Sequence, residues 1–167
     1  VRCDETAVPL SRFFEVLAEE ARVRGMGARV TASHTVAMGS YDNAYCYKLF
    51  RLLKLSGINF VSCPTESIHL QGRFDNYPKR RGVTRVAEID RAGMNVCFGQ
   101  DSIVDPWYPL GNGNILRILE AGLHICHMLG YEDLQRCLDL ITDNSARTLN
   151  LGERYGIEVG RPANLLL

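Results

Sequence analysis

One pattern constrains this chain more than any other: short apolar runs alternate with amphipathic stretches at a near-constant period. Strand-like runs begin near residues 29, 58 and 95, about 30 to 37 residues apart, the length of a strand–helix–strand unit. Residues 28–33 read as a short strand. Residues 58–63 and 94–98 are near-continuous apolar runs, the signature of strands buried on both faces. Helical spacing is expected over 9–23, 43–55, 83–92, 114–129, 133–141 and 144–149. Successive units of this kind require a parallel sheet with helices outside it. The stretches after the strands (64–82 and 99–113) are long and carry His, Asp, Arg and Trp, whereas the turns after the helices are short and glycine-rich. In a β/α barrel, chemistry belongs to the first kind of loop.

The strand count stops early. A full eight-unit barrel takes roughly 250 residues, and 167 residues supply three strands and a stub at Val1. The expectation is α/β architecture amounting to half of a (β/α)8 TIM-type barrel. Half a barrel leaves open strand edges that demand a partner, either a second copy of the chain or a missing N-terminal half. The first residue is Val, so a processed or absent start is expected. Nineteen basic residues balance nineteen acidic ones, which argues against a nucleic-acid partner. No run approaches the ~20 apolar residues of a membrane span. The six cysteines form no C-x-x-C pair and several lie in apolar runs, such as Val96-Cys97-Phe98. They read as buried reduced thiols, pointing to a reducing compartment, most simply the cytoplasm.

Polar residues stand just beyond the strands. Asp4 and Glu5 follow the stub, His34 follows Val30-Thr31-Ala32-Ser33, and Asp101 follows Val96-Cys97-Phe98-Gly99-Gln100. On adjacent parallel strands, Glu5, His34 and Asp101 converge on one mouth. Two carboxylates and an imidazole there can bind a divalent metal and move protons. A polar residue ending a single strand more often caps a loop; three in register point to a site.

Several motifs resemble the cytosine deaminase branch of the amidohydrolase superfamily. They are Cys3-Asp4-Glu5, Gly27-Ala28-Arg29-Val30-Thr31-Ala32-Ser33-His34-Thr35, Ile68-His69-Leu70-Gln71-Gly72-Arg73-Phe74, Tyr77-Pro78-Lys79-Arg80-Arg81-Gly82, Asn95-Val96-Cys97-Phe98-Gly99-Gln100-Asp101, Asp105-Pro106-Trp107-Tyr108-Pro109-Leu110-Gly111 and Ser145-Ala146-Arg147-Thr148-Leu149-Asn150-Leu151. The resemblance runs nearly the whole length, in order, and covers the C-terminal half of such an enzyme, barrel strands five to eight. It implies a catalytic half-barrel over residues 1–156 and, over 157–167, the start of a return to a small β domain. It further implies hydrolytic deamination of cytosine or a related amino-heterocycle by water activated on a divalent metal, Fe2+ or Zn2+, with release of ammonia. By the same resemblance Glu5 is the acid/base residue, His34 orients the attacking water, and Asp101 ligates metal and takes the water's proton. His34 and Asp101 are the expected metal-site residues. Gln100, Ser102 and Trp107 are the expected substrate contacts.

The chain departs from that pattern in three places. Arg2 stands where the family has a metal-binding His, and a guanidinium has no lone pair to donate. The strand-one His-x-His pair lies outside the chain. Ser102 replaces an acidic residue and Gln100 a frequent His, which turns expectation from cytosine towards a methylated or iso-pyrimidine or creatinine. The alternative is a catalytically silent half-barrel that persists through self-association. The other zinc deaminase class needs His-x-Glu followed by Pro-Cys-x-x-Cys; neither occurs. His69 and Glu66 fall near the expected mouth. His124 and His127 are expected on an outer helix face, Lys79-Arg80-Arg81 as a solvated or ion-paired loop, and Gly111-Asn112-Gly113-Asn114 as a capped helix start.

Overall fold

A computed structural model describes residues 1–163. Four strands, β1 (Arg2–Cys3), β2 (Thr31–His34), β3 (Asn59–Ser62) and β4 (Val96–Phe98), form one sheet in sequence order. All three pairings are parallel. Cys3 lies opposite His34, Ser33 opposite Val61, and Ser62 opposite Phe98, so the carboxyl ends finish almost level. That register turns residues scattered over a hundred positions into one rim. The periodic reading of the sequence therefore holds: this is a parallel α/β sheet with helices outside, part of a barrel.

The helices are α1 (Phe13–Val23), α2 (Asn43–Ser56), α3 (Pro64–Leu70), α4 (Val86–Arg91), α5 (Ile115–Ile125), α6 (Tyr131–Arg136) and α7 (Asp143–Thr148). Local chemistry sets their ends. Asp42 accepts the Tyr45 N–H at 2.8 Å to cap α2, and Gly57 closes it with a left-handed φ of 64°. Asn114 accepts from the N–H groups of Leu116 and Arg117 at the start of α5, as the Asn-Gly-Asn pattern suggests. The α1 start expected at Pro9 falls at Phe13, because the Asp4 carboxylate captures the first helical amides. It accepts from Phe13 N–H at 3.1 Å, Phe14 N–H at 2.7 Å and the Ser11 hydroxyl at 2.5 Å.

Three further expectations shift. Residues 64–70, expected within a loop, form α3, opened by Pro64 at its first turn with Glu66 beside it. Residues 133–141 break into α6 and a 3-10 turn at Cys137–Leu140. The second strand begins at Thr31, with a 3-10 turn over Gly27–Arg29 ahead of it. Residues 157–163 form bends and a turn with no strand, and residues 164–167 of the expected return to a β domain lie outside the described residues. No helix among the described residues is long and apolar enough to cross a membrane.

The core lies between the sheet and the helices, around the fully buried Phe14, Leu53, Phe60, Ile89, Val96 and Ile118. One of the two sheet edges is partly covered: Asn144 on α7 donates its amide to the Val96 carbonyl at 2.8 Å. Helix α5 approaches β4 through Gly122. A Cβ there would lie 2.7 Å from the Phe98 ring. Gly122→Ala should therefore lower the unfolding free energy by about 1–3 kcal/mol through overpacking, read from a denaturant melt; an unchanged midpoint would mean that the α5–β4 contact is looser than drawn.

Candidate active site at the carboxyl ends of the strands

The rim residues leave the strands through strained backbone. Asp4 after β1, His34 at the end of β2 and Asp101 after β4 have φ of 49°, 75° and 65°. Left-handed geometry in residues with a Cβ costs roughly 1–3 kcal/mol each and persists only where the surroundings enforce it. Each kink swings a side chain away from the alternation of its strand. Asp4 turns inward to hold α1, and Glu5, His34 and Asp101 meet at the mouth.

Their contacts are short. His34 Nε2 lies 2.9 Å from Asp101 Oδ2 and 3.8 Å from Glu5 Oε1. Its other nitrogen, Nδ1, is 2.7 Å from the Ser33 hydroxyl, so both ring nitrogens are anchored in a side chain only 4% exposed. A doubly anchored imidazole holds a fixed orientation. Glu5, His34 and Asp101 are thus brought together as their positions after the strands suggest.

Arg2 and Glu66 complete the cluster. The Arg2 guanidinium makes a two-pronged ion pair with Glu5, one arm at 2.7 Å. The same guanidinium lies 3.3 Å from Asp101 Oδ2 and 3.8 Å from Glu66 Oε1. Glu66, in the first turn of α3, is buried and accepts the Ser102 N–H at 3.1 Å. Burial holds its carboxyl above the usual carboxylate range, partly offset by the Ser102 hydrogen bonds. Pairing with Glu5 holds the Arg2 guanidinium still more firmly in its charged form. Sequence reasoning placed Glu66 only near the mouth; its link to Arg2 and Ser102 depends on α3, which was not expected.

The remaining site expectations divide. Ser102 is buried beside Asp101, its N–H spent on Glu66. Both polar atoms of the Gln100 side chain are buried without a hydrogen-bond partner. Trp107 is 67% exposed on the loop after β4, its backbone N–H held by Asp105 at 2.9 Å. His69 stacks at a tilt on Tyr108, ring centroids 5.9 Å apart. His124 Nδ1 bonds the Glu120 carbonyl of its own helix, and both His124 and His127 are exposed away from the cluster. Arg80 pairs with Asp75 at 3.1 Å and Arg81 donates to the Ile125 carbonyl, so the basic run staples its loop.

His34, Cys63 and Asp101 each offer one donor atom, all within 4.8 Å of one another. Sequence reasoning missed Cys63, although it follows β3 much as His34 ends β2. The arrangement nevertheless does not fit a divalent ion. Asp101 Oδ2 is already shared between the imidazole and the guanidinium, and a second cation there would face Arg2 at close range. Burial and the Asp101 and Glu66 carboxylates push the Cys63 thiol up to about 12.

Known proteins resemble this chain in sequence and in fold. The model of the amidohydrolase family matches residues 2–167. A solved 5-methylcytosine deaminase from Klebsiella pneumoniae, liganded with 5-fluorocytosine, is 83% identical at a TM-score of 0.98. The match covers all of this chain and 40% of that one. N-isopropylammelide isopropyl amidohydrolase of Pseudomonas sp. (strain ADP) is 30% identical over 151 residues, 90% of this chain and 34% of that protein. Pterin deaminase of Rhizobium rhizogenes is 28% identical over 144 residues, 86% of this chain and 32% of that protein. The chain thus spans about a third of the curated relatives it matches.

Proposed function

Because the chain belongs to the amidohydrolase family, we propose that it forms the proton-handling half of an amino-heterocycle deaminase. The reaction replaces a ring C–NH2 by C=O, consuming water and releasing ammonia. The observation that carries this reading is the approach of His34 Nε2 to Asp101 at 2.9 Å and to Glu5 at 3.8 Å on one rim. In this reading His34 holds the attacking water. Asp101 accepts the water's proton as the C–O bond forms. Glu5 delivers a proton to the adjacent ring nitrogen, which opens the ring carbon to attack. The proton taken by Asp101 then passes to the amino group, the C–N bond breaks with loss of ammonia, and the hydroxyl proton returns to Glu5 as C=O forms. Gln100, with a free donor and a free acceptor, is suited to the paired N–H and C=O groups of a pyrimidine edge. Ser102 and Trp107 are the remaining proposed substrate contacts.

Amidohydrolases are generally metal-dependent. Among the described residues His34 and Asp101 are the pair that would otherwise hold Fe2+ or Zn2+, and the Arg2 guanidinium against Asp101 stands in the way of such an ion. The rest of the barrel would come from a longer polypeptide or from a second copy. A second reading, a silent half-barrel, is favoured by that same Arg2 contact. Ammonia release distinguishes them. The chain, alone and joined to the N-terminal half of a family member, is supplied with 5-methylcytosine, cytosine, isocytosine and creatinine. Turnover of a methylated pyrimidine or a close analogue is expected from the joined barrel. No ammonia from any of the four in a folded, joined barrel would leave the silent reading standing.

A further inference from the structure

We infer that the Arg2 guanidinium takes the place of a divalent cation at the rim, neutralising Glu5, Glu66 and Asp101 and excluding a metal ion from His34 and Asp101. The inference does not rest on the proposed deamination, because its readout is ion binding. Three carboxylates from three separate elements face one basic side chain. Glu5 lies beyond β1, Glu66 in α3 and Asp101 beyond β4, and Arg2 reaches all of them at 3.8 Å or less. Among the groups of this cluster it is the one with a permanent positive charge.

Gathering three carboxylates is unfavourable unless a cation lies among them. Glu66 makes the point sharpest. Its side chain is 2% exposed and its cationic neighbour in this cluster is Arg2. A divalent ion would answer the same need, and the donor atoms of His34 and Asp101 are close enough to hold one. Both cations would have to share Asp101 Oδ2, which lies 2.9 Å from His34 Nε2 and 3.3 Å from Arg2. At such range like charges repel strongly, so one occupant excludes the other. The forked pair with Glu5 fixes the guanidinium in place, with two parallel N–H donors matched to one carboxylate.

The Arg2 side chain is 52% exposed, and β1 has one neighbouring strand, β2. The test titrates Co2+ into the wild-type chain, Arg2→Gln and Arg2→His, following visible absorption and the melting temperature. Wild type is expected to show no saturable Co2+ spectrum and no stabilisation. Arg2→Gln removes the charge at similar length and should tighten Co2+ binding on the order of a hundredfold, with a rise in melting temperature on adding the ion. Arg2→His should do the same, and it carries the comparison if the Gln variant does not fold. Adding Asp101→Asn to either variant should abolish the gained binding. Stoichiometric Co2+ in wild type overturns the inference, as does a folded Arg2 variant that binds no better than wild type. A failed ammonia assay leaves this result untouched.

Discussion

Asp101→Asn, in a barrel joined as described above, is expected to lower turnover by about 10²- to 10⁴-fold, the usual contribution of a positioned proton acceptor. The amide keeps the size of the carboxylate and can still accept from His34, so the 2.9 Å contact can survive. It cannot take a proton from water at neutral pH. The loss should fall mainly on kcat, because the proposed role belongs to the chemical step rather than to binding. Loss of the 3.3 Å pair with Arg2 should matter little to stability, since the Arg2 partner is half exposed. A melting temperature close to that of wild type together with a collapsed kcat is the expected pair of results. Near-normal kcat in a folded variant would remove Asp101 from the proposed reaction.

The second large effect concerns stability and lies next door in sequence. Asp4→Ala should cost about 2–4 kcal/mol, more than an ordinary helix cap, whose loss costs about 0.5–2 kcal/mol. The carboxylate is 7% exposed and accepts from Ser11, Phe13 and Phe14. Its removal strands two amides at the start of α1, and a buried donor without a partner costs roughly 1–3 kcal/mol. Asp4→Asn should recover part of the loss, because its amide oxygen still accepts. Urea denaturation of the three proteins provides the ranking. An Asp4→Ala midpoint equal to wild type would show that α1 is held by its apolar face alone.

These neighbours illustrate what could be read in advance and what could not. Asp4 and Glu5 are both acidic and both follow β1, and the sequence offers nothing to divide them. The fold divides them by a single kink, sending Asp4 to the helix and Glu5 to the rim. His34 and Asp101 were legible because each follows a strand-like run, and a parallel register brings such ends together. The boundaries of α1 and β2 were less legible, since long-range hydrogen bonds and a 3-10 turn outweigh local pattern there. Helix α3 escaped notice because it is short and polar, and its burial comes from packing at the mouth rather than from periodicity. Arg2 could be recognised as incapable of ligating a metal. Its grip on three carboxylates needed coordinates, for the partners come from positions 5, 66 and 101.

The left-handed corners at Asp4, His34 and Asp101 carry a consequence for anyone seeking to toughen this molecule. Glycine adopts such angles without steric penalty, so His34→Gly or Asp101→Gly would relieve local tension while erasing the very groups the rim presents. Selection for heat resistance alone should therefore drift towards blunted variants at these corners, and hardening is better directed to the helical shell, where firmness and reactivity do not compete.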